Sequence, residues 1–596
     1  MEDKNSLESQ QDVYDRVKKT ISGCIEDKLD CVIKAPPSSG KSYSSAQVIA
    51  DKGIHAAYFT ARRDLYGEFK QWCEDRGLTV KILPSMPEDC DSYDSGEGSS
   101  TPSKAYKLYH RGISPRTIHH ETEACHPACE YARKLPELKG EYNKDIPLNK
   151  YDVLIGNTKH SHVEPFVRGR TVFFDDISKQ AFIKEHEVTE SKLTAILEDD
   201  SFPCNSVDFI YETRGSEEFR QRAIEALDDL DFEPRTDESA TTHSDAVKIV
   251  STILKSEDLG NGFAVYGYED TDSSDEEDYI GVKDGDRSVY LLNRPGFVGN
   301  NRGISPDTII VLTGYPVEHG NLSFPVWLNW RLGVHTELIE PLSQPERKKY
   351  YSDIMGLSVV QTSEDVKPYS SGEYVTPQRD AKLIKLVARD HNEDVPIIST
   401  KKALTQYDED ELPISDKMNF ANVESNNQFR KEDVGIVLGS PEWRIHHQVR
   451  LIGAFLDQSV EWNEKKGTEK SFGDVGDPIM RAFQKDIVGQ AILRFGRDES
   501  VEESTVYVHT DAIPDDIPVS EKPDEMVGGS YVSTENQILR YLRDEGLDQF
   551  EINDIDGEIE ASRSSISKEV KKSDRFELIE KGSGPIPDVW GIGCDV

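Results

Sequence analysis

The stretch Ala35–Ser42, APPSSGKS, constrains this chain more than any other. It follows an apolar run, Cys31-Val32-Ile33, and precedes Tyr43–Ile49, which reads as a helix. Strand, loop and helix in that order place backbone N–H groups at a helix N-terminus, where they wrap an anionic phosphate. Gly40 lets the backbone approach closely. Lys41 offers a point charge to the β/γ-phosphates, and Ser42 offers a hydroxyl to Mg²⁺. This is the Walker A pattern with Ala35 at its usual glycine position. Ala35, Pro36, Pro37, Ser38, Ser39, Gly40, Lys41 and Ser42 are therefore the candidate nucleotide contacts.

A chain of 596 residues exceeds one core, and length alone predicts roughly three to five domains. No apolar run is long enough to span a membrane. The opening MEDKNSLESQQ is polar and acidic, unlike a signal peptide. A soluble cytoplasmic protein is the expectation. Acidic residues number 111 against 70 basic, a formal net charge of −41. Such a surface normally repels nucleic acid. Acid scattered along the whole chain resembles the composition of halophilic proteins, and in molar salt the Debye length shrinks to ~3 Å. The charge therefore does not exclude a DNA partner.

A helix is predicted over Gln10–Ile25, with Val13, Val17, Ile21 and Ile25 at helical spacing. Gln10 or Gln11 could read adenine there, against the plainer reading of a solvated glutamine. After the Walker A helix, Ala56–Phe59 reads as a buried strand that runs into TARRDL, beginning at Thr60. Further on, Arg170–Asp176 is a short apolar strand ending in two carboxylates. This is the Walker B pattern, in which Asp175 holds Mg²⁺ and Asp176 orients the attacking water. Gln490-Ala-Ile-Leu-Arg494-Phe-Gly-Arg497 places a glutamine and two arginines at fixed offsets. On one helix, Arg494 and Arg497 would share a face.

With these motifs in this order the chain resembles superfamily 2 DNA helicases over most of residues 10–500. The resemblance implies two RecA-like α/β lobes of the P-loop NTPase type, with ATP and Mg²⁺ held between them. Lys41, Asp175, Asp176, Arg494 and Arg497 would be catalytic, and Gln490 would contact nucleotide. Thr60 and Arg62 fall where that family holds nucleic-acid phosphates. The family usually carries Glu at the position of Asp176 and Gly at that of Leu493. The implied division is lobe one over 1–316, lobe two over 317–513 and a linker over 514–532.

Residues 73–150 form an insertion containing Cys73, Cys90, Cys125 and Cys129, with His119, His120 and His126 nearby. Thiolates in a cytoplasmic chain of this length point to a metal site. An iron–sulfur cluster or Zn²⁺ needs about four ligands. The placement, together with CEYARK at 129–134, resembles the iron–sulfur helicases of the xeroderma pigmentosum D type. Cys24, Cys31, Cys204 and Cys594 have no partners in sequence and read as structural. A second insertion, 177–307, is helical over Ser191–Ile196, Ser216–Leu230 and Ser244–Ser256, then strongly acidic over 269–278. Its position resembles the arch-type insertion of the same helicases.

In the second lobe, strands are predicted around 394–401 and 433–441. Beyond the linker, helices over 534–545, 550–559 and 562–572 and strands at 576–580 and 588–591 resemble a winged helix-turn-helix over 533–596. Arg563, Lys568, Lys571 and Lys572 reverse the local charge and are candidate DNA contacts. The expected function is an ATP-dependent helicase or translocase acting on single-stranded or tailed duplex DNA. Its protein partners would be replication, repair or mobile-element proteins. A DNA-tethered ATP switch, or a winged-helix regulator without unwinding activity, is the alternative.

Overall fold

Apolar runs bounded by polar turns fold into strands covered on both faces, as parallel sheets require. In chain order the strands are β1 Cys31–Lys34, β2 Ala56–Thr60, β3 Val80–Ile82, β4 Val153–Gly156, β5 Thr171–Asp175, β6 Ile183–Glu187, β7 Glu257–Asp258, β8 Phe263–Tyr266, β9 Tyr279–Asp284 and β10 Ser288–Asn293. They continue as β11 Thr308–Thr313, β12 Glu337–Ile339, β13 Leu357–Gln361, β14 Val395–Ser399, β15 Ile414–Asn419, β16 Val434–Leu438, β17 Ser504–His509, β18 Gln549–Glu551, β19 Phe576–Glu580 and β20 Val589–Ile592. The structure is a computed structural model. It describes residues 7–96, 101–125, 129–131, 147–175, 183–230, 242–267, 279–285, 288–293, 306–313, 336–408, 410–442, 445–465, 469–498, 500–522, 531–559, 561–573, 575–582 and 587–592. Asp176, His126, Cys594 and the acidic run 269–278 lie outside them.

Two parallel sheets dominate. The first has seven strands in the order β12-β1-β11-β5-β2-β4-β3, with every neighbouring pair parallel. The second has five, β13-β17-β16-β14-β15, also wholly parallel. Helices pack on both, so the chain is mixed α/β, and the two sheets fit a pair of RecA-like lobes. Glu337–Ile339 joins the first sheet beside β1, in register with Cys31–Ile33. The first lobe therefore reaches past the 316 boundary read from sequence. One apolar cluster runs from Val48, Tyr58 and Phe173 through Tyr350 and Tyr351 to Val359, Ile398 and Val506, so the two sheets share a core.

The second insertion is helical at Glu190–Leu197, Val207–Thr213, Glu217–Asp228 and Ala246–Lys255. It also holds an antiparallel sheet, β6-β10-β9-β8-β7, which the sequence reading did not predict. One face of this sheet packs on the helix Ala246–Lys255 through Ile249, Val250 and Ile253 with Val289 and Leu291. The other face, with Phe263, Val265, Ile280 and Val282, packs with Leu451, Ala454 and Phe455 of the helix Ile445–Phe455, which precedes the Gln490–Arg497 segment. His447 Nε2 lies 2.8 Å from Asp284 Oδ2 and 3.0 Å from Tyr290 OH across that joint. Arg450 stacks on Phe263 at 4.8 Å.

Residues 514–522 are not a free linker. Ile517 is buried, Ser520 N donates to Val359 O at 2.8 Å, and Gln361 N donates to Glu521 O at 2.9 Å. Tyr531 is buried in the core of the second sheet. Arg540 stacks on the Tyr531 ring at 4.1 Å and forms an ion pair with Asp390. The C-terminal unit packs the helices Thr534–Asp544, Ile552–Ile555 and Arg563–Lys572 against the antiparallel sheet β18-β20-β19. The helix predicted over 550–559 is instead β18 followed by one short turn of helix, because Phe550 pairs with Trp590.

Two buried histidines make the fold acid-sensitive. Burial pushes His160 down to about 4 and His509 to about 3, from an ordinary 6.5. Both remain neutral in the fold, whereas the unfolded chain takes up a proton near 6.5. Their contribution is complete above that pH and is lost as pH falls through the window from 6.5 towards 4 and 3. The urea midpoint should drop steadily between pH 7 and pH 4. A midpoint that stayed flat over this range would contradict the assignment.

Candidate nucleotide site and metal centre

The phosphate-loop residues lie where a parallel sheet presents its carboxyl edge, between β1 and the helix Lys41–Lys52. Ala35 N donates to Thr313 O at 3.0 Å, which anchors the loop to β11. Ser38 and Gly40 are left-handed, at φ 61° and 73°. Gly40 is the helix N-cap and provides no side-chain cap, so a side chain does not occupy the first-turn amides there. A Cβ on Gly40 would lie 2.7 Å from the Tyr14 ring, and this close approach excludes other residues. Lys41 Nζ donates to the carbonyls of Ala35 and Pro36, both at 3.0 Å.

Ser42 Oγ donates to Asp175 Oδ2 at 2.7 Å. The end of β5 thus reaches the start of the Walker A helix across the intervening β11. Tyr58 OH donates to the same carboxylate oxygen. Tyr58 was missed in the sequence. A tyrosine within the apolar strand AAYFT was the available signal, because a buried hydroxyl needs a partner. Gln10 Nε2 donates to Tyr14 OH at 2.7 Å and to Ser38 O at 3.3 Å. It is exposed and also tied to the loop. Tyr350 OH donates to Pro37 O at 3.4 Å.

The helix Gly473–Ile492 carries Gln490 in its last turn and ends before either arginine. Arg494 and Arg497 therefore do not share a helical face. Gly496, at φ 61°, turns the chain between them, and the turn is held by Gly496 N to Glu432 O at 3.0 Å. Arg494 is buried and donates from Nη1 to Asn427 Oδ1 at 3.1 Å. Arg497 N donates to Arg430 O at 2.9 Å. Burial raises the Tyr350 phenol, and the Arg497 guanidinium acts against that rise.

Thr60 ends β2 in register with Asp175. Its hydroxyl accepts from Arg62 N at 3.2 Å. Arg62 pairs with Asp64 at 3.1 Å, a surface contact of small energetic value.

In the first insertion, ligand atoms of Cys90, His119, Cys125 and Cys129 all lie within 4.8 Å of one another. Cys90 Sγ is 3.6 Å from Cys125 Sγ, and Cys129 Sγ is 3.7 Å from His119 Nε2. His119 Nδ1 lies 2.6 Å from Pro115 O. A proton on Nδ1 satisfies that carbonyl and leaves the Nε2 lone pair facing the thiols, the arrangement of a metal-ligating histidine. Burial lowers His119 and raises Cys90 to about 12. Cys73 is not in this group. It sits on the buried face of the helix Leu65–Glu74 with Tyr66 and Phe69, in the core of the first sheet. His119 takes the fourth place that the sequence reading gave to Cys73.

On the C-terminal helix Arg563–Lys572, Ile566 and Val570 face the core, and Arg563, Lys568, Lys571 and Lys572 are exposed. Arg563 pairs with Asp556 at 3.2 Å, and Lys572 lies 3.8 Å from Glu569.

No family model matches the sequence, and no curated protein matches it. Solved structures do. One titled XPD helicase aligns at a TM-score of 0.42 and 10% identity, over 85% of this chain and 96% of its own. An XPD in its apo form aligns at 0.41 and 9% identity, over 83% and 96%. Xpd4 of S. tokodaii aligns at 0.33 and 9% identity, over 90% and 98%. Among the described residues no helix is long and apolar enough to cross a membrane.

Proposed function

We propose that the chain is an ATP-dependent DNA helicase or translocase that works in the cytoplasm at high salt. The observation that carries this reading is the Ser42–Asp175 contact at 2.7 Å. It brings together the two residues that would hold Mg²⁺, beside the loop that carries Lys41. When bound, ATP and Mg²⁺ supply the phosphoanhydride and its counter-charge. Ser42 and Asp175 would hold the ion, Lys41 would leave the loop carbonyls for the outer phosphates, and Asp176 would orient water. Tyr58 fixes the Asp175 carboxylate, and Arg497 would approach from the second lobe.

The test is ATPase activity at high KCl with and without single-stranded DNA, followed by strand displacement on a tailed duplex. No hydrolysis under any of these conditions would reject the reading. One observation favours a second reading, a DNA-tethered ATP switch: Arg494 is bonded to Asn427 and turned into its own lobe. Hydrolysis without strand displacement would support it.

Cys90, His119, Cys125 and Cys129 fit a four-ligand centre, and a Cys₃His set suits Zn²⁺ or an iron–sulfur cluster. Its role in this reading is to cross-link a segment whose own apolar cluster is small. A brown preparation with broad visible absorption is the expected mark of a cluster, and a colourless one with about one metal per chain that of zinc. Cys129→Ser should lose the metal, and so should His119→Ala, whereas Cys73→Ser should keep it. Retention in His119→Ala would return the fourth place to another residue.

We assign the C-terminal unit as a winged helix whose third helix lies against a DNA backbone. Lys568→Glu with Lys571→Glu should weaken duplex binding and flatten its salt dependence by about two contacts. Basal ATPase should be spared. Unchanged affinity would make this unit a protein-binding module.

A further inference from the structure

We propose that His186, His243 and Asp245 form a second metal site, chemically distinct from the cysteine centre, that takes a divalent transition ion such as Zn²⁺. Their ligand atoms lie within 4.8 Å of one another and all three residues are buried. They come from two separate elements. His186 is on the edge strand β6, and His243 and Asp245 are in the turn that opens the helix Ala246–Lys255. Two imidazoles and a carboxylate are a donor set that zinc accepts, with one position left for water.

His243 Nδ1 accepts from Asp245 N at 3.0 Å, a bond that an ion on this nitrogen would have to displace, whereas the other two donors are turned to the group. Asp245 occupies the N-cap position, where aspartate normally caps the helix, yet its side chain makes no cap bond. The carboxylate is turned instead to the imidazoles, with Oδ2 at 3.4 Å from His186 Nε2 and 3.7 Å from His243 Nδ1. His186 is 4% exposed. Its Nε2 points into the group, towards the Asp245 carboxylate. The rings sit edge to face with centroids 4.7 Å apart, so neither blocks the space the donors share.

Lys184 Nζ, half-exposed, lies 3.1 Å from the same Asp245 oxygen. It is the counter-charge that an ion would displace. The site also touches the first insertion. Ser244 N donates to Arg111 O at 2.9 Å, and a Cβ on Gly112 would lie 2.9 Å from His243 Cε1. A bound ion would fasten the two insertions at that seam.

The test is Co²⁺ titration of the chelator-stripped full-length chain. Cobalt on the cysteines gives thiolate charge-transfer bands, and cobalt on imidazole and carboxylate gives visible d–d bands without them. The two centres can therefore succeed or fail separately. The expected result is about one equivalent of thiolate-free cobalt, lost in Asp245→Asn and bound about tenfold more tightly in Lys184→Ala, where the competing ammonium is gone. Three outcomes would overturn the proposal: cobalt only in thiolate-bearing form, a thiolate-free component indifferent to Asp245→Asn, or weaker binding in Lys184→Ala.

Discussion

Arg497→Ala should bind ATP nearly as the parent does and hydrolyse it about 10³–10⁵ times more slowly. In the proposed mechanism binding belongs to the first lobe, where the loop 35–40, Lys41, Ser42 and Asp175 are assembled within one sheet edge. Hydrolysis builds charge on the outer phosphate, and a guanidinium from the second lobe is what meets it. In the proposed mechanism Arg497 would fill that role. Lysine should rescue poorly, because a point charge lacks the planar fork. Arg494→Ala should differ in kind. Its guanidinium is buried against Asn427, so its loss should lower the unfolding midpoint of the second lobe. Nucleotide affinity beside single-turnover hydrolysis, with a melting curve for each variant, separates these effects. If Arg497→Ala lost affinity and kept its rate, closure of two lobes on the nucleotide would be the wrong mechanism.

Lys41→Ala should abolish measurable turnover while the chain stays folded. The ammonium bonds the carbonyls of Ala35 and Pro36, an arrangement that holds the side chain beside the phosphate path. Removing it leaves the strand, the loop turn at Gly40 and the helix in place, since these rest on backbone bonds and on the buried Ala46, Val48 and Ile49. Far-ultraviolet circular dichroism should be unchanged. Gly40→Ala should be worse for the fold, because the left-handed backbone and the Tyr14 ring both oppose a Cβ. Normal turnover in a folded Lys41→Ala chain would end the ATPase reading.

What could be read in advance was whatever a short stretch encodes by itself. A strand, a glycine turn and a helix N-terminus are local, so the loop 35–42 was visible, as was the strand ending at Asp175. Partnership at long range was not. Glu337–Ile339 carries too few residues to announce a strand, and it becomes one by pairing with Cys31–Ile33. The antiparallel sheet of the second insertion likewise consists of short pieces such as Glu257–Asp258 that only its neighbours define. Cys73 shows a different failure. It was counted for its sulfur, although Tyr66, Phe69 and Cys73 mark one buried helical face. His119 was seen and left unassigned, because no spacing distinguishes a ligand from the adjacent His120. The bond at its Nδ1 does. The shared helix for Arg494 and Arg497 failed because the helix ends at Ile492, before both arginines, and Gly496 then turns the chain between them.

The second insertion is written into the chain between strands of the first lobe, yet it is bolted to the second at His447, Asp284, Tyr290 and Arg450. Mechanically that makes it a strut with one end in each half of the machine. Any stroke that spreads or shuts the cleft must flex the strut, pivot it at its roots or break the bolt. If the chain hydrolyses ATP as proposed, work released at the nucleotide would have a ready route to a point remote from it, and load applied at the insertion would have the same route back.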